Sequence, residues 1–261
     1  MSVMRIMDKE KILNCEIEYS KCFSKTVERQ NIIRFSDDLL KDMYYHNFTL
    51  IKGIISDDEL LSCIKDELLL RKGLDFCNIV SYIPISDYIL QKVENKPEVT
   101  VNGFYLFDIT TLQKLSGKEG SVIFKVIDDT MTDDILRLDI EHDGDNLGVD
   151  FCTRRVNRRK KVYLSNEGVN SYVLYDNNEA VGNSDLFIYK DVAKIEDFAV
   201  SPKKQRQGYG SAMLKYLIEI ALNSGVSMIY LVTDESDTAK EMYIKSGFSK
   251  IGERVGLFFK L

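Results

Sequence analysis

The residues in this sequence best suited to chemistry lie in Ser201-Pro-Lys-Lys-Gln-Arg-Gln-Gly-Tyr-Gly-Ser-Ala-Met213. Gly208 and Gly210 stand at the mouth of an apolar run with helical spacing, just behind Gln205, Arg206 and Gln207. Glycine allows a sharp turn or a close approach of a ligand to the main chain. A helix N-terminus leaves N–H groups without partners, so a bare-backbone turn there suits a pyrophosphate and needs no metal. Ser211 adds a hydroxyl donor, and Lys203, Lys204 and Arg206 add positive charge. Two other phosphate grips are excluded. Lys215 falls five residues beyond Gly210, where a P-loop needs its lysine next to the glycine. Met213 stands where a dinucleotide fingerprint needs a third small residue.

The elements that must position this turn are legible on both sides. Residues 194–200, KIEDFAV, read as a strand with Glu196, Phe198 and Val200 on one face and Ile195, Asp197 and Ala199 on the other; Pro202 ends it. After the glycines, Leu214, Leu217, Ile218 and Ala221 repeat at i, i+3, i+4 and i+7, a helix closed by Gly225. Residues 228–233 form a continuous apolar run, as in a strand buried on both faces. Residues 236–246 read as a helix opened by Ser236 or Asp237, and the tail SKIGERVGLFFKL is strand-like. Upstream, residues 171–189 read as a hairpin turning at Asp176-Asn177-Asn178, preceded by helical, polar residues 131–161. The expected fold class is α/β, layered, with a parallel pair of strands at its centre.

Two motifs in this order resemble the GNAT superfamily of acyl-CoA N-acyltransferases. The first is Gln205-x-x-Gly208-x-Gly210 after a strand ending Ala199-Val200. The second is Ala239-x-x-x-Tyr243-x-Lys245-x-Gly247-Phe248 after a buried strand. The resemblance covers about 121–261 and implies a GNAT-like mixed sheet flanked by helices, with acetyl-CoA as co-substrate and no metal. It implies that Phe198, Ala199 and Val200 pair with the pantetheine amides. Gln205, Arg206, Gln207, Gly208, Tyr209, Gly210 and Ser211 would hold the pyrophosphate, with Ser236 and Ala239 also at the cofactor. Ser236 stands where the family usually has Asn, which alters one contact. Only thirteen residues follow Phe248, too few for the family's pair of long closing strands. Either the tail makes a short pair or the edge is completed from elsewhere in the chain.

Acetyl transfer to an amine needs a base for the amine proton and an acid for the departing thiolate. The resemblance assigns the acid to Tyr243, whose ordinary pKa of about 10 keeps it protonated at neutral pH. Glu196 is the strand carboxylate expected to act as base, with a structural salt bridge open for both it and Asp197. A non-catalytic acyl-CoA sensor or scaffold is the competing reading. The acids of 128–145 and the bases of 154–161 either form an acidic lip for a cationic amine or two solvated helices whose charges offset. The acceptor is expected to be a small-molecule or peptide amine.

Composition sets outer limits. Apolar residues are 44% and charged residues 29% of 261, the mix of a globular protein, and the net charge of −6 argues against nucleic acid. No apolar run approaches a membrane span, and the start lacks the apolar core of a secretory signal. Five scattered cysteines suit free thiols in a reducing cytoplasm, and two distant histidines (His46, His142) argue against a metal site or a Ser-His triad. Nothing separates monomer from homodimer. Residues 1–120 read as a second, smaller α/β domain: strands at 46–51, 74–83 and 103–109, helices at 57–73 and 86–93. This half is either a degenerate copy of the 121–261 domain or a chance likeness of generic elements. Its acidic helix entrance, Ser56-Asp57-Asp58-Glu59, would repel a phosphate, so no CoA site is expected there.

Overall fold

The computed structural model describes residues 6–53, 55–165 and 168–261. No helix among them is long and apolar enough to cross a membrane. The chain forms two compact units that interleave in sequence. Unit 1 takes residues up to Cys22, then Tyr105–Val232 and Glu241–Lys250; unit 2 takes Phe23–Phe104, Thr233–Lys240 and Ile251–Leu261. The expected boundary at residue 120 is therefore not the structural one. Helix and strand periodicity reports local faces, whereas unit membership depends on which distant segments those faces meet.

Unit 1 begins with α1 (Ile6–Lys21), which periodicity did not single out because its apolar stripe is narrow. It continues through the end of β5 (Glu98–Phe107), β6 (Val122–Lys125), α4 (Asp129–Leu147), α5 (Val149–Tyr163), β7 (Val169–Asp176), β8 (Glu179–Tyr189) and β9 (Val192–Val200). Next come α6 (Tyr209–Asn223), β10 (Met228–Asp234), α7 (Ala239–Lys245) and the start of β11 (Phe248–Lys260). Its strands run in the order β5-β10-β9-β8-β7-β6. The β7–β8 turn has Asn177 and Asn178 at φ 50° and 65°, the left-handed conformation a two-residue hairpin needs. β9 and β10 are parallel, joined by α6.

The helices lie on both faces of this sheet. Tyr172 on β7 meets Tyr216 of α6 edge to face at 5.9 Å. Its neighbour Ser171 lies opposite Asp185 of β8, whose carboxylate accepts a hydrogen bond from Tyr163 of α5. Alternation along β7 thus puts α6 and α5 on opposite faces. Phe187 shares Asp185's side of β8 and packs against Tyr19, so α1 joins α5. The buried stripe of α6, Met213, Leu214, Leu217, Ile218 and Ala221, follows the spacing read from the sequence.

Unit 2 holds β1 (Lys25–Glu28), β2 (Ile32–Ser36), β3 (Thr49–Ile51), α2 (Asp57–Leu70), β4 (Phe76–Ser81) and α3 (Asp87–Lys92). With parts of β11 and β5 they make a mixed sheet, β1-β2-β3-β4-β11-β5. Ile51, Ile64, Ile79, Ile89, Leu257 and Phe259 are its core. The acidic entrance of α2 is a capping box. Ser56 Oγ accepts from the Glu59 N–H and the Glu59 carboxylate accepts from the Ser56 N–H. The tail is not a short strand pair but one strand, β11, antiparallel to β4 over Val255–Lys260. The edge of unit 1 beside β10 is supplied instead by Tyr105–Phe107 of β5. There Phe107 packs on Phe248 at 5.1 Å, and the Asp108 N–H donates to the Gly247 carbonyl at 2.9 Å.

Unit 1 thus needs two segments from before residue 120, α1 and the end of β5. A 121–261 fragment removes both, exposing the buried faces of β8 and β9 beneath α1 and leaving β10 as an edge. We expect it to aggregate or to melt at least ~10 °C below the full chain in a thermal scan. A fragment as stable as the parent would refute this dependence.

Candidate functional site

The site is built around the place where β9 leaves its neighbours. β9 and β10 pair from Val192↔Met228 to Ile195↔Leu231 and no further, although β9 runs on to Val200. Residues 196–200 therefore do not ladder to β10. On the other side, Asp185 pairs with Glu196 and Asn183 with Ala199, so β9 carries one extra residue there. Asp197 sits in this bulge with φ 51°. The disturbed ladder is filled by side chains. Ser184 Oγ donates to the Glu196 carbonyl at 3.0 Å, and Asn183 Nδ2 to the Asp197 carbonyl at 3.2 Å.

The bulge overturns the simple alternation expected for this strand. Glu196 pairs with Lys194 at 2.8 Å, and the Lys194 ammonium also meets Glu16 and the Tyr19 ring of α1. Asp197 pairs with Arg159 of α5. Both carboxylates thus face α1 and α5. Phe198 turns the other way, its ring 6.0 Å from that of Tyr243 on α7 and close to Gly210 on α6. Tyr243 is buried, packed edge to face on Phe248 as well.

The glycine turn has the geometry its sequence implied. Gly208 is the N-cap of α6 with φ 91°, no side chain caps the helix, and Arg206 also has positive φ, 59°. The first-turn N–H groups of Tyr209, Gly210 and Ser211 thus carry the helix's positive end without a side-chain acceptor. A loop not foreseen from the sequence buttresses this turn. The Lys118 N–H donates to the Gly208 carbonyl at 3.1 Å, and Gly117 packs so closely on Ala212 that a Cβ there would lie 2.5 Å from its Cα.

Several flanking side chains are already engaged. Lys203 pairs with Glu141 at 3.0 Å and Lys204 with Glu179 at 3.1 Å, whereas Arg206 is exposed. Gln205 and Gln207 donate to the carbonyls of Val200 and Lys203. Tyr209 is buried, its hydroxyl donating to Asp176 at 2.6 Å. Ser236 and Ala239 fall among the unit 2 residues. The Ser236 N–H and hydroxyl both donate to Asp234, and Ala239 N–H donates to Asp237, which opens α7. The charge blocks of α4 and α5 pair with each other: Arg155 with Asp139 and Asp143, and Lys160 with Asp129. These pairs offset part of the charge, while Glu141 pairs with Lys203 and Arg159 with Asp197.

Beneath the bulge lies a buried cluster that sequence reasoning missed. Asp185 is fully buried and accepts from Tyr163 at 2.9 Å. Burial and the adjacent Asp197 charge push its carboxyl up to about 8. Burial would raise Asp197 too, but Arg159 holds it below its ordinary value. The signal was present in the sequence, since Asn183-Ser184-Asp185 is a polar run inside an otherwise apolar strand.

Residues 140–248 match the model of a family described as the Acetyltransferase (GNAT) family. This segment is a GNAT acetyltransferase domain. The uncharacterized N-acetyltransferase CgeE of Bacillus subtilis is 40% identical over 81 residues, 30% of this chain and 31% of that protein. The ribosomal protein bS18 alanine N-acetyltransferase of Haemophilus influenzae is 30% identical over 87 residues, 33% of this chain and 60% of that protein. The chain thus spans about a third of the first relative's length and three-fifths of the second's. Among solved structures, a conserved protein of unknown function from Staphylococcus epidermidis superposes with a TM-score of 0.76 at 20% identity, over 91% of this chain and 94% of that one. A GCN5-related N-acetyltransferase from Kribbella flavida gives 0.67 at 12%, over 95% and 94%. At these identities the likeness is one of fold, and it extends beyond the GNAT domain to nearly the whole chain.

The Asp185–Asp197–Arg159 cluster makes a pH prediction. The folded GNAT domain holds the Asp185 proton more tightly than the unfolded chain does. Its contribution to stability is therefore complete below the ordinary carboxyl value and is lost as pH rises toward 8. In denaturant titrations Asp185→Asn should gain on the parent steadily from pH 4 to 8. Asp197→Asn strands the buried Arg159 guanidinium and should cost about 3 kcal/mol at neutral pH.

Proposed function

We propose that the protein is an N-acetyltransferase that moves an acetyl group from acetyl-CoA to a primary amine by direct attack in a ternary complex. The observation that carries this reading is the coincidence of two features in unit 1. β9 parts from β10 at Glu196–Val200, and the uncapped N-terminus of α6 follows directly. The main chain of Phe198, Ala199 and Val200 is free of β10 and can hydrogen-bond an extended amide chain as a strand would. The turn from Gln205 to Ser211 presents N–H groups to a pyrophosphate, with Arg206 exposed beside it. Acetyl-CoA has this sequence of groups, and it would bring an activated thioester carbonyl to the parted strands. Relatives named as N-acetyltransferases support an amine acceptor.

In this reading Glu196 takes a proton from the acceptor amine, directly or through water, and the amine nitrogen attacks the carbonyl carbon. The C–S bond breaks as the C–N bond is kept, and Tyr243 gives its hydroxyl proton to the departing sulfur. Phe198 and Phe248 both pack edge to face with the Tyr243 ring, which restricts its movement. Asp197 cannot share the base role, because Arg159 keeps it ionised and occupied.

Release of free CoA thiol from acetyl-CoA, measured over a panel of amines, tests the proposal. Sustained turnover supports it, and tight binding without turnover would establish an acyl-CoA sensor instead. Gly210→Glu places a charge and a side chain at the α6 entrance and should weaken acetyl-CoA binding roughly tenfold or more by calorimetry. Tyr243→Phe should keep that affinity and slow turnover by about a hundredfold. Unchanged affinity in a folded Gly210→Glu protein would move the site elsewhere, and unchanged kcat in Tyr243→Phe would leave Tyr243 a packing residue.

A further inference from the structure

Lys194 is an unusual residue for the middle of a buried strand. Its side chain is 3% exposed, and its Nζ lies 2.7 Å from Glu16 Oε1 and 2.8 Å from Glu196 Oε2, over the Tyr19 ring at 4.2 Å. Glu16, itself buried, also accepts a hydrogen bond from the Tyr230 hydroxyl at 2.7 Å. Two carboxylates therefore share one ammonium across α1 and β9. We propose that Glu16 is a positioning residue for proton transfer at Glu196, holding the Lys194 charge whenever Glu196 takes up a proton. The proposal rests on the reading of Glu196 as the base.

Charge balance in a poorly solvated place gives Glu16 this role. With both glutamates ionised the triad carries one net negative charge. A proton added to Glu196 leaves a neutral Glu16–Lys194 pair, so no buried charge is stranded. If Glu16 were neutral, the same proton would remove the second of the two carboxylate charges that meet the Lys194 ammonium. That penalty opposes protonation and makes Glu196 a weaker base. The proton goes to Glu196 and not to Glu16 for two reasons. The Tyr230 hydroxyl stabilises the charged form of Glu16. Among the described residues no well-directed hydrogen bond reaches Glu196 Oε2, whose side chain is also the more exposed, 29% against 4%.

The other groups around Glu196 do not change this balance. Around Glu196 and the Tyr19 ring stand Glu16 on α1, Asp185 opposite Glu196 on β8, Arg159 and Tyr163 on α5, and Lys194 and Asp197 on β9 itself. Burial pushes the Tyr19, Tyr163 and Tyr230 hydroxyls well above their ordinary value, so all three stay neutral. Arg159 and Asp197 neutralise each other. Asp185 holds its proton at neutral pH. Lys194 is thus the charge to which Glu196 responds.

Carbon-13 NMR titration of glutamate carboxyls in the full chain reads this without knowledge of the acceptor, with the Glu196 resonance assigned from its loss in Glu196→Gln. Glu16→Gln should lower the Glu196 midpoint by about one pH unit, a tenfold loss of proton affinity. Lys194→Met should raise it, and Glu16→Asp should restore most of the parental value. The acidic limb of kcat/KM on the best amine should move in the same directions. A Glu196 midpoint unmoved by Glu16→Gln overturns the proposal. If that variant does not fold, an unmoved midpoint in Lys194→Met does the same. Parental turnover in Glu196→Gln would instead remove Glu196 as the base, while the titration would still report whether Glu16 governs its proton.

Discussion

The parting of β9 from β10 after Ile195 is the constraint on which the rest of unit 1 depends. A parallel pair normally spends its main-chain polar groups on each other, and separating the strands leaves those groups to find other partners. On the β8 side the extra residue at Asp197 breaks the ladder, and Ser184 and Asn183 supply side-chain donors to the orphaned carbonyls. On the β10 side the ladder ends at Ile195. A non-glycine residue at φ 51° is strained, and Arg159 binds the Asp197 carboxylate in that conformation. The ion pair, the bulge and the separated strands are one arrangement.

The same bulge sorts the neighbouring side chains by face. It sends Glu196 and Asp197 together toward α1 and α5, and Phe198 toward Tyr243 and the α6 entrance. A regular strand would have put Glu196 and Phe198 on one face and Asp197 on the other. Two acids beside each other on a buried face would repel strongly. The fold separates their behaviour by giving each its own cation, Arg159 for Asp197 and Lys194 for Glu196. Among the described residues the Lys194 ammonium also pairs with Glu16, so it keeps a second carboxylate beside Glu196.

Much of this was legible in the sequence where the signal is local. The hairpin at Asn177-Asn178, the stripe of α6, the buried strand at 228 and the bare turn at Gly208 depend on residues within one or two turns of each other, and they stand where periodicity put them. What was not legible depends on distant pairings. The face of Asp197 is set by its register against Asn183–Asp185, and α1 was overlooked because it packs with a narrow apolar stripe and a buried Glu16. The shortage of closing strand after Phe248 was a correct reading of length. Its remedy, the end of β5 beside β10, comes from some 140 residues upstream and leaves no local trace.

That remedy explains why the chain does not divide at its midpoint. Sequence similarity to the GNAT family covers residues 140–248, yet the S. epidermidis and K. flavida structures match over more than nine-tenths of the chain. Fold is therefore kept over a longer stretch than the recognisable motifs. In unit 1 the additional residues have physical work outside those motifs: α1 carries Glu16 to Lys194, and Tyr105–Phe107 occupies the edge that β10 would otherwise expose. A buried lysine tolerates no vacancy in its counter-ions, and an unpaired strand invites association with other chains. Both requirements tie the early segments to unit 1 more firmly than any linker composition could show. The covalent order of the chain and the order of its packing are accordingly different.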